Sequence, residues 1–139
     1  MYDFLLKNGQ SINIREYNEQ DFVAINQLNK NEQWTNLVKT GEKTKEAWNH
    51  SNIAFVVILE DEIVGYLRGL TDKYVTLYIC ELLVEKRYRG LGIGQYVLSY
   101  VHGLYPSTRI EMLASSTSQS FYKQSGYRPF YGFRKTFGE

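Results

Sequence analysis

The run Arg89-Gly90-Leu91-Gly92-Ile93-Gly94 has the composition of an anion cradle. Glycines at alternate positions let backbone amides converge without obstruction by Cβ atoms. The apolar run before them and the helical pattern after them place the loop where a helix dipole favours phosphate. The spacing then excludes the commoner glycine loops. A dinucleotide fingerprint begun at Gly90 needs glycine at position 95, where Gln95 stands. No Gly-Lys pair exists for a P-loop, and no His-Arg-Asp segment accompanies a kinase-type loop. What remains is R-x-x-G-x-G, read from Arg89 to Gly94, directly after a strand ending in Leu-Leu-Val.

Groups able to move a proton are few. Glu81 interrupts an otherwise apolar strand three residues before Val84, which makes it a candidate base; pairing with Arg68 or Arg109 is the competing role, and Glu111 is the reserve. His50 and His102 fall within helical patterns, and Cys80 has no local partner, so no activated nucleophile of the Ser or Cys type is present. Lys86 and Arg87, just before the loop, either attract a further phosphate or stay solvated.

These groups need elements to position them. Residues 2–17 read as a hairpin turning at Asn8-Gly9, a type I′ signature. Asp21 is a candidate N-cap for a helix reaching about Asn31, and a second helix covers Glu42 to His50, with Trp34 to Gly41 as the connection. Asn52 to Glu60 and Ile63 to Leu70 form another hairpin, and Tyr74 to Val84 is the strand that feeds the glycine loop. Ile93, Val97, Val101 and Leu104 then repeat on one helical face, and Pro106 ends that helix. Thr108 to Ala114 is the next strand, parallel to the one before the loop. Ser115 to Ser118 offer caps to a short helix through Phe121 to Ser125. Gly126 suits its left-handed terminus, and Tyr127 to Phe137 reads as a final aromatic strand.

Composition bounds what this framework can serve. The chain has 139 residues, 43% of them hydrophobic, which suits one compact domain over residues 1–139. Sixteen basic and 15 acidic residues leave a formal charge of +1, too little to gather nucleic acid or an anionic membrane. One cysteine excludes a disulfide framework and a cysteine metal site, and no metal is expected. Without a signal-peptide core or a membrane-length apolar run, a cytoplasmic location is expected. Aromatic residues interleaved with basic ones at 127–135 suit either a terminal strand or a stacking surface for nucleic acid, and the balanced charge favours the strand. A homodimer extended through that strand is the open oligomeric expectation.

With the elements in order, the sequence resembles the GNAT superfamily of acyl-CoA-dependent N-acetyltransferases. Arg89 to Gly94 is similar to its [QR]-x-x-G-x-[GA] loop. Ser120-Phe-Tyr-Lys-Gln-Ser-Gly-Tyr127 is similar to its F-Y-x-x-x-G-[FY] signature, Ile14 to Asp21 with Arg15 looks like its opening, and the hairpin at Val64-Gly65 looks like its second and third strands. The resemblance implies an α/β (α+β) fold, a central mixed sheet of about 6–7 strands with about 4 helices on its faces. It implies direct transfer of an acetyl group from acetyl-CoA, as co-substrate, to a primary amine of a small molecule or peptide. Within that chemistry Glu81 is the candidate base, with Glu111 or water as alternatives, and Tyr122 is the expected proton donor to the departing thiolate. The cofactor contacts it implies are the backbone of Leu82, Leu83 and Val84, and the loop Arg89, Gly90, Leu91, Gly92, Ile93, Gly94 and Gln95. Ser115 stands where many members carry an asparagine that contacts the pantetheine arm. The alternative is a CoA-binding regulatory protein that has lost catalysis. Acceptor identity and acyl-chain length are not encoded in any of these motifs.

Overall fold

The computed structural model describes residues 2–139. Six strands form one sheet in sequence order: β1 (Tyr2–Leu5), β2 (Ser11–Glu16), β3 (Ile53–Leu59), β4 (Glu62–Thr71), β5 (Thr76–Val84) and β6 (Arg109–Met112). Every neighbouring pair is antiparallel except β5 and β6, which are parallel. Among the described residues there are five α-helices: α1 (Phe22–Asn31), α2 (Thr35–Lys39), α3 (Gly41–His50), α4 (Ile93–Leu104) and α5 (Gln119–Gln124).

The sheet is covered on both faces, and β3 states this in its own sequence. Ile-Ala-Phe-Val-Val-Ile-Leu is apolar at every position, as a strand buried on two sides must be. Its alternate residues Ile53, Phe55, Val57 and Leu59 join a core beneath α4 with Ile93, Val97, Leu98 and Val101. Val56, between them, joins Phe22, Ile25, Leu28 and Trp48 from α1 and α3 on the opposite face. Among the described residues no helix is long and apolar enough to cross a membrane.

Several elements differ from the sequence expectation, each for a local reason. The first hairpin does not turn through a type I′ loop at Asn8-Gly9. Gly9 alone has positive φ, its N–H donates to Leu6 C=O at 3.0 Å, and Leu6 N–H donates to Gln10 C=O at 2.7 Å, which is a turn closed by a glycine bulge. The turn with two left-handed residues lies instead at Glu60 and Asp61, φ 49° and 67°, between β3 and β4. Asp21 stands at the N-cap position of α1, but its side chain makes no hydrogen bond to the helix. It accepts from Asn18 N–H and pairs with both terminal nitrogens of Arg15 at 2.8 Å, closing a short 3-10 turn at Glu19–Asp21. Burial acts to raise the Asp21 pKa, but the Arg15 and Asn18 hydrogen bonds outweigh it and hold the carboxyl below its ordinary value. The connection after Trp34 contains the additional helix α2, and Leu104, expected on the buried face of α4, is exposed. β6 stops at Met112, short of Ala114, and the expected strand from Tyr127 to Phe137 is irregular chain.

Candidate active site

The site begins with an extra residue in β5. Arg68 pairs with Glu81 and the next residue of β4, Gly69, pairs with Ile79, so Cys80 is unmatched and forms a bulge. Gly69 makes room for it, since a Cβ there would lie 2.6 Å from the Tyr78 carbonyl oxygen. β6 follows β5 from Thr76 to Ile79 and then ends, opposite Met112. From Cys80 to Val84 the outer edge of β5 has no strand beside it among the described residues.

Register decides what that edge presents. Glu85 N–H donates to Val64 C=O at 2.8 Å, so residues 85, 83 and 81 direct their backbone groups toward β4. Leu82 and Val84 therefore direct theirs outward, into the gap, whereas those of Leu83 are used within the sheet. The Val84 carbonyl already accepts from Arg89 Nε at 2.8 Å. The Leu83 side chain packs with Tyr66 and Trp48 on the α1 and α3 face, and Leu82 and Val84 pack on the α4 face.

The glycine loop lies directly after this edge. Gly90 and Gly92 have φ of +80° and +93°, and a Cβ built on either meets no atom within 4 Å, so the backbone there faces open space. Gly92 is the N-cap of α4 and supplies no side chain to its first amides. A cradle of free amides at the N-terminus of a 12-residue helix fits a diphosphate. Ile93 is buried and Leu91 packs beside it, which anchors the loop, and Gln95 is exposed at the helix start. Arg89 is held at a second point, its guanidinium pairing with Glu32 at the end of α1. Arg87 is engaged by Glu85 at 2.7 Å.

Gly94 has a different purpose. A Cβ there would sit 3.1 Å from Phe121 Cζ and 3.9 Å from Leu82 Cδ2, so the two sequence motifs, loop and α5, lock together at this glycine. Phe121 stacks edge-on against Tyr122 at 5.1 Å, and Tyr122 against Tyr127 at 5.6 Å. Burial, with a smaller contribution from Tyr127, pushes the Tyr122 phenol above its ordinary value. No hydrogen bond from another described residue engages its hydroxyl. Ser115 lies outside this cluster: its hydroxyl contacts Thr117 Oγ1 at 2.9 Å and Ser118 Oγ at 3.1 Å in the exposed turn before α5.

Glu81 is placed in the ion pair that competed with its role as base. Its oxygens accept from Arg68 Nε at 2.7 Å and Nη2 at 2.6 Å, with side chains only 15% and 14% exposed, and Arg68 Nη1 donates to Ser51 Oγ at 3.1 Å. Neighbouring Tyr66, buried on the same face, donates to Asn29 Oδ1 at 2.5 Å. Glu111, the reserve, is exposed on β6. Glu81 and Tyr122 thus lie on opposite faces of the sheet, the former toward α1 and α3 and the latter toward α4, and the gap beside β5 is what joins the two sides. Two broad surface depressions, one including Phe22, Asn26 and Lys43 and the other Gln10 and Asp61, contain no residue of this cluster. No group of three or more potential metal ligands is found among the described residues.

A mixed sheet opened between two parallel strands, beside a glycine loop on a helix N-terminus, defines an acyltransferase architecture. The model of the acetyltransferase (GNAT) domain family matches residues 13–135, and the chain belongs to that family. Solved structures share the fold at low identity. A GNAT family acetyltransferase from Streptococcus pneumoniae aligns with a TM-score of 0.74 at 20% identity, covering 92% of this chain and 98% of its own. A predicted acetyltransferase from Clostridium acetobutylicum with acetyl-CoA aligns with a TM-score of 0.65 at 14% identity, covering 90% and 95%. An aminoglycoside acetyltransferase from an uncultured soil metagenomic sample, in complex with sisomicin, aligns with a TM-score of 0.66 at 20% identity, covering 91% and 96%. No curated protein matches the chain in sequence.

Three features of this site left weak traces in the sequence. The bulge at Cys80 is announced only by Gly69 on the facing strand, the Glu32–Arg89 tie spans 57 positions, and the alignment of Gly94 with Phe121 is a tertiary contact.

Proposed function

We propose that the protein is an N-acetyltransferase that moves the acetyl group of acetyl-CoA directly to a primary amine of a small molecule or peptide. The observation that carries this reading is the open backbone at Gly90 and Gly92 continuing into the strandless edge of β5, where Leu82 and the Val84 N–H face outward and the Val84 carbonyl is taken by Arg89. The loop amides would hold the diphosphate, and the edge would pair with the pantetheine arm as an added strand. The arm would lie against the α4 face, near Tyr122, and the amine would approach from the face of α1 and α3. The acetyl-CoA and sisomicin complexes of the structural neighbours support an acyl donor and an amine acceptor for this fold.

In this reaction the amine nitrogen forms a C–N bond to the acetyl carbon and the C–S bond breaks. The ammonium proton must leave first, and the thiolate must be stabilised. Tyr122, kept protonated by burial, donates to the sulfur. Glu81 accepts the amine's proton through the lone pairs that Arg68 leaves free. One observation favours a second reading, a CoA-binding protein without catalysis: Arg68 grips both oxygens of Glu81. Acetyl-CoA consumption measured across aminoglycosides, polyamines, amino acids and peptide N-termini separates the two. Turnover with at least one amine class is expected; stabilisation by acetyl-CoA without turnover on any class assigns the second reading.

A further inference from the structure

Strand alternation fixes which side chains meet an acceptor. Leu77 and Ile79 of β5, and Ile110 and Met112 of β6, pack in the core beneath α4. Tyr78, Arg109 and Glu111 between them therefore stand on the other face, with Arg68 and Glu81, where the proposed reaction brings the amine. Leu70, paired with Tyr78, belongs to the same strip and is 47% exposed.

Charge on this side is already balanced. Glu81 is held by Arg68, Glu32 by Arg89 and Glu85 by Arg87, so three carboxylates around the opening are neutralised from within the protein. Glu111 is exposed, but Arg109 stands two positions away on the same face of β6 and offsets it. Gly132 lies against Leu113, the residue after β6, and the tail passing there carries Arg128, Arg134 and Lys135 against one carboxylate, Glu139, at its end. An acceptor with several ammonium groups needs several uncommitted carboxylates, and here it meets cations instead.

The state of Glu81 points the same way. Both its oxygens accept from Arg68, which leaves fewer lone pairs for an incoming proton than a free carboxylate has. A lysine-like nitrogen, pKa about 10.4, is almost wholly ammonium at neutral pH and depends on a strong proton acceptor. A peptide α-amine, pKa about 8, has roughly 200 times as much of its free form at pH 7 and asks less of the enzyme.

We propose that the acceptor is the α-amino group of a peptide whose following residues are neutral or acidic, with Arg109 reading an acidic side chain. This rests on the acetyltransferase reading and narrows it, setting polyamines and aminoglycosides aside. An extended peptide along the Leu70 and Tyr78 strip puts its first nitrogen near Glu81. Arg109 lies opposite Thr76, so at roughly 3.3 Å per residue its guanidinium meets about the third to fifth residue.

Initial rates of CoA release at saturating acetyl-CoA test this. The acceptors are three amidated pentapeptides with free α-amines, Ala-Ala-Ala-Ala-Ala, Ala-Ala-Glu-Glu-Ala and Ala-Ala-Lys-Lys-Ala, beside spermidine, sisomicin and Nα-acetyl-lysine; mass spectrometry locates the acetyl group. At low salt kcat/KM for the acidic peptide should exceed that for the basic one at least about tenfold, a preference that shrinks at high salt. Spermidine, sisomicin and Nα-acetyl-lysine should fall at least about 100-fold below the neutral peptide. Arg109→Ala should bring the acidic peptide to within about twofold of the neutral one, and because its side chain is exposed the fold is spared. A preference that survives Arg109→Ala overturns the assignment to Arg109. Turnover of spermidine or sisomicin as fast as the peptides, or equal rates on the acidic and basic peptides, overturns the proposal and leaves the acetyltransferase reading standing. Acetyl-CoA binding without turnover of any acceptor overturns both.

Discussion

Two residues carry the sharpest consequences of the acetyltransferase reading. Tyr122→Phe removes a hydroxyl and keeps the ring against Phe121 and Tyr127, so the fold and acetyl-CoA affinity should hold while turnover falls about 10²-fold or more. Because burial raises this phenol, its proton is lost only above the ordinary tyrosine value of about 10. Activity that depends on it persists through neutral pH and declines as pH rises past that point, a limb that the Phe variant should lack. Saturating steady-state rates across pH, with chemistry shown to be rate-limiting, check both. At Gly92 the obstacle is conformational as well as spatial: φ of +93° disfavours any β-branched side chain, and a Cβ would enter the open cradle. Wild type should gain about 2.7 kcal/mol of stability at acetyl-CoA concentrations 100 times its dissociation constant, and Gly92→Val should gain nothing. Equal thermal shifts in the two proteins would remove the loop from the binding site.

Between elements, the informative contacts are those that tie pieces far apart in sequence. Arg68 and Glu81 join β4 to β5 beside the bulge, so Glu81→Gln both removes a proton acceptor and leaves a mostly buried guanidinium with a weaker partner. A loss of about 1–3 kcal/mol in stability is expected by urea denaturation. If Glu81 is also the base, the acidic limb of the turnover profile disappears; an intact limb moves the role to Glu111 or water. The Glu32–Arg89 pair joins α1 to the glycine loop. It is partly exposed, 28% and 44%, so Glu32→Gln should weaken acetyl-CoA binding by only about 2–5-fold, an effect that shrinks at high salt. Calorimetric titration at two ionic strengths measures this directly. Neither tie was readable from sequence spacing, although Arg68 was one of two partners anticipated for Glu81. Strand and helix identities were readable wherever one period ran without interruption, as in β3 and α4. They failed at the tail, which is irregular chain despite its alternating aromatics, and at a short stretch such as α2.

At the scale of the whole molecule, the glycine loop and the Phe121-Tyr122 segment were legible because each is a local pattern with a local physical cause. Their arrangement was not, because it follows from one unmatched residue in a strand that carries no glycine or proline to announce it. Cys80 has no counterpart in β4, while Glu81 to Val84 pair with Gly65 to Arg68 in unbroken order. The opening of the site is therefore a matter of count. Deleting Cys80 would leave every other β4–β5 pair intact and keep Ile79, Glu81 and Leu82 on the faces they now occupy. It would remove the bend that lets β5 leave β6. The shortened chain should fold, with circular dichroism like that of the wild type, yet give no thermal shift with acetyl-CoA; retained binding would show that the slot opens without the bulge. In a lineage, loss of that codon would be a closing mutation that spares every residue of the binding motifs, so intact motifs in a shorter relative would not by themselves indicate a working site.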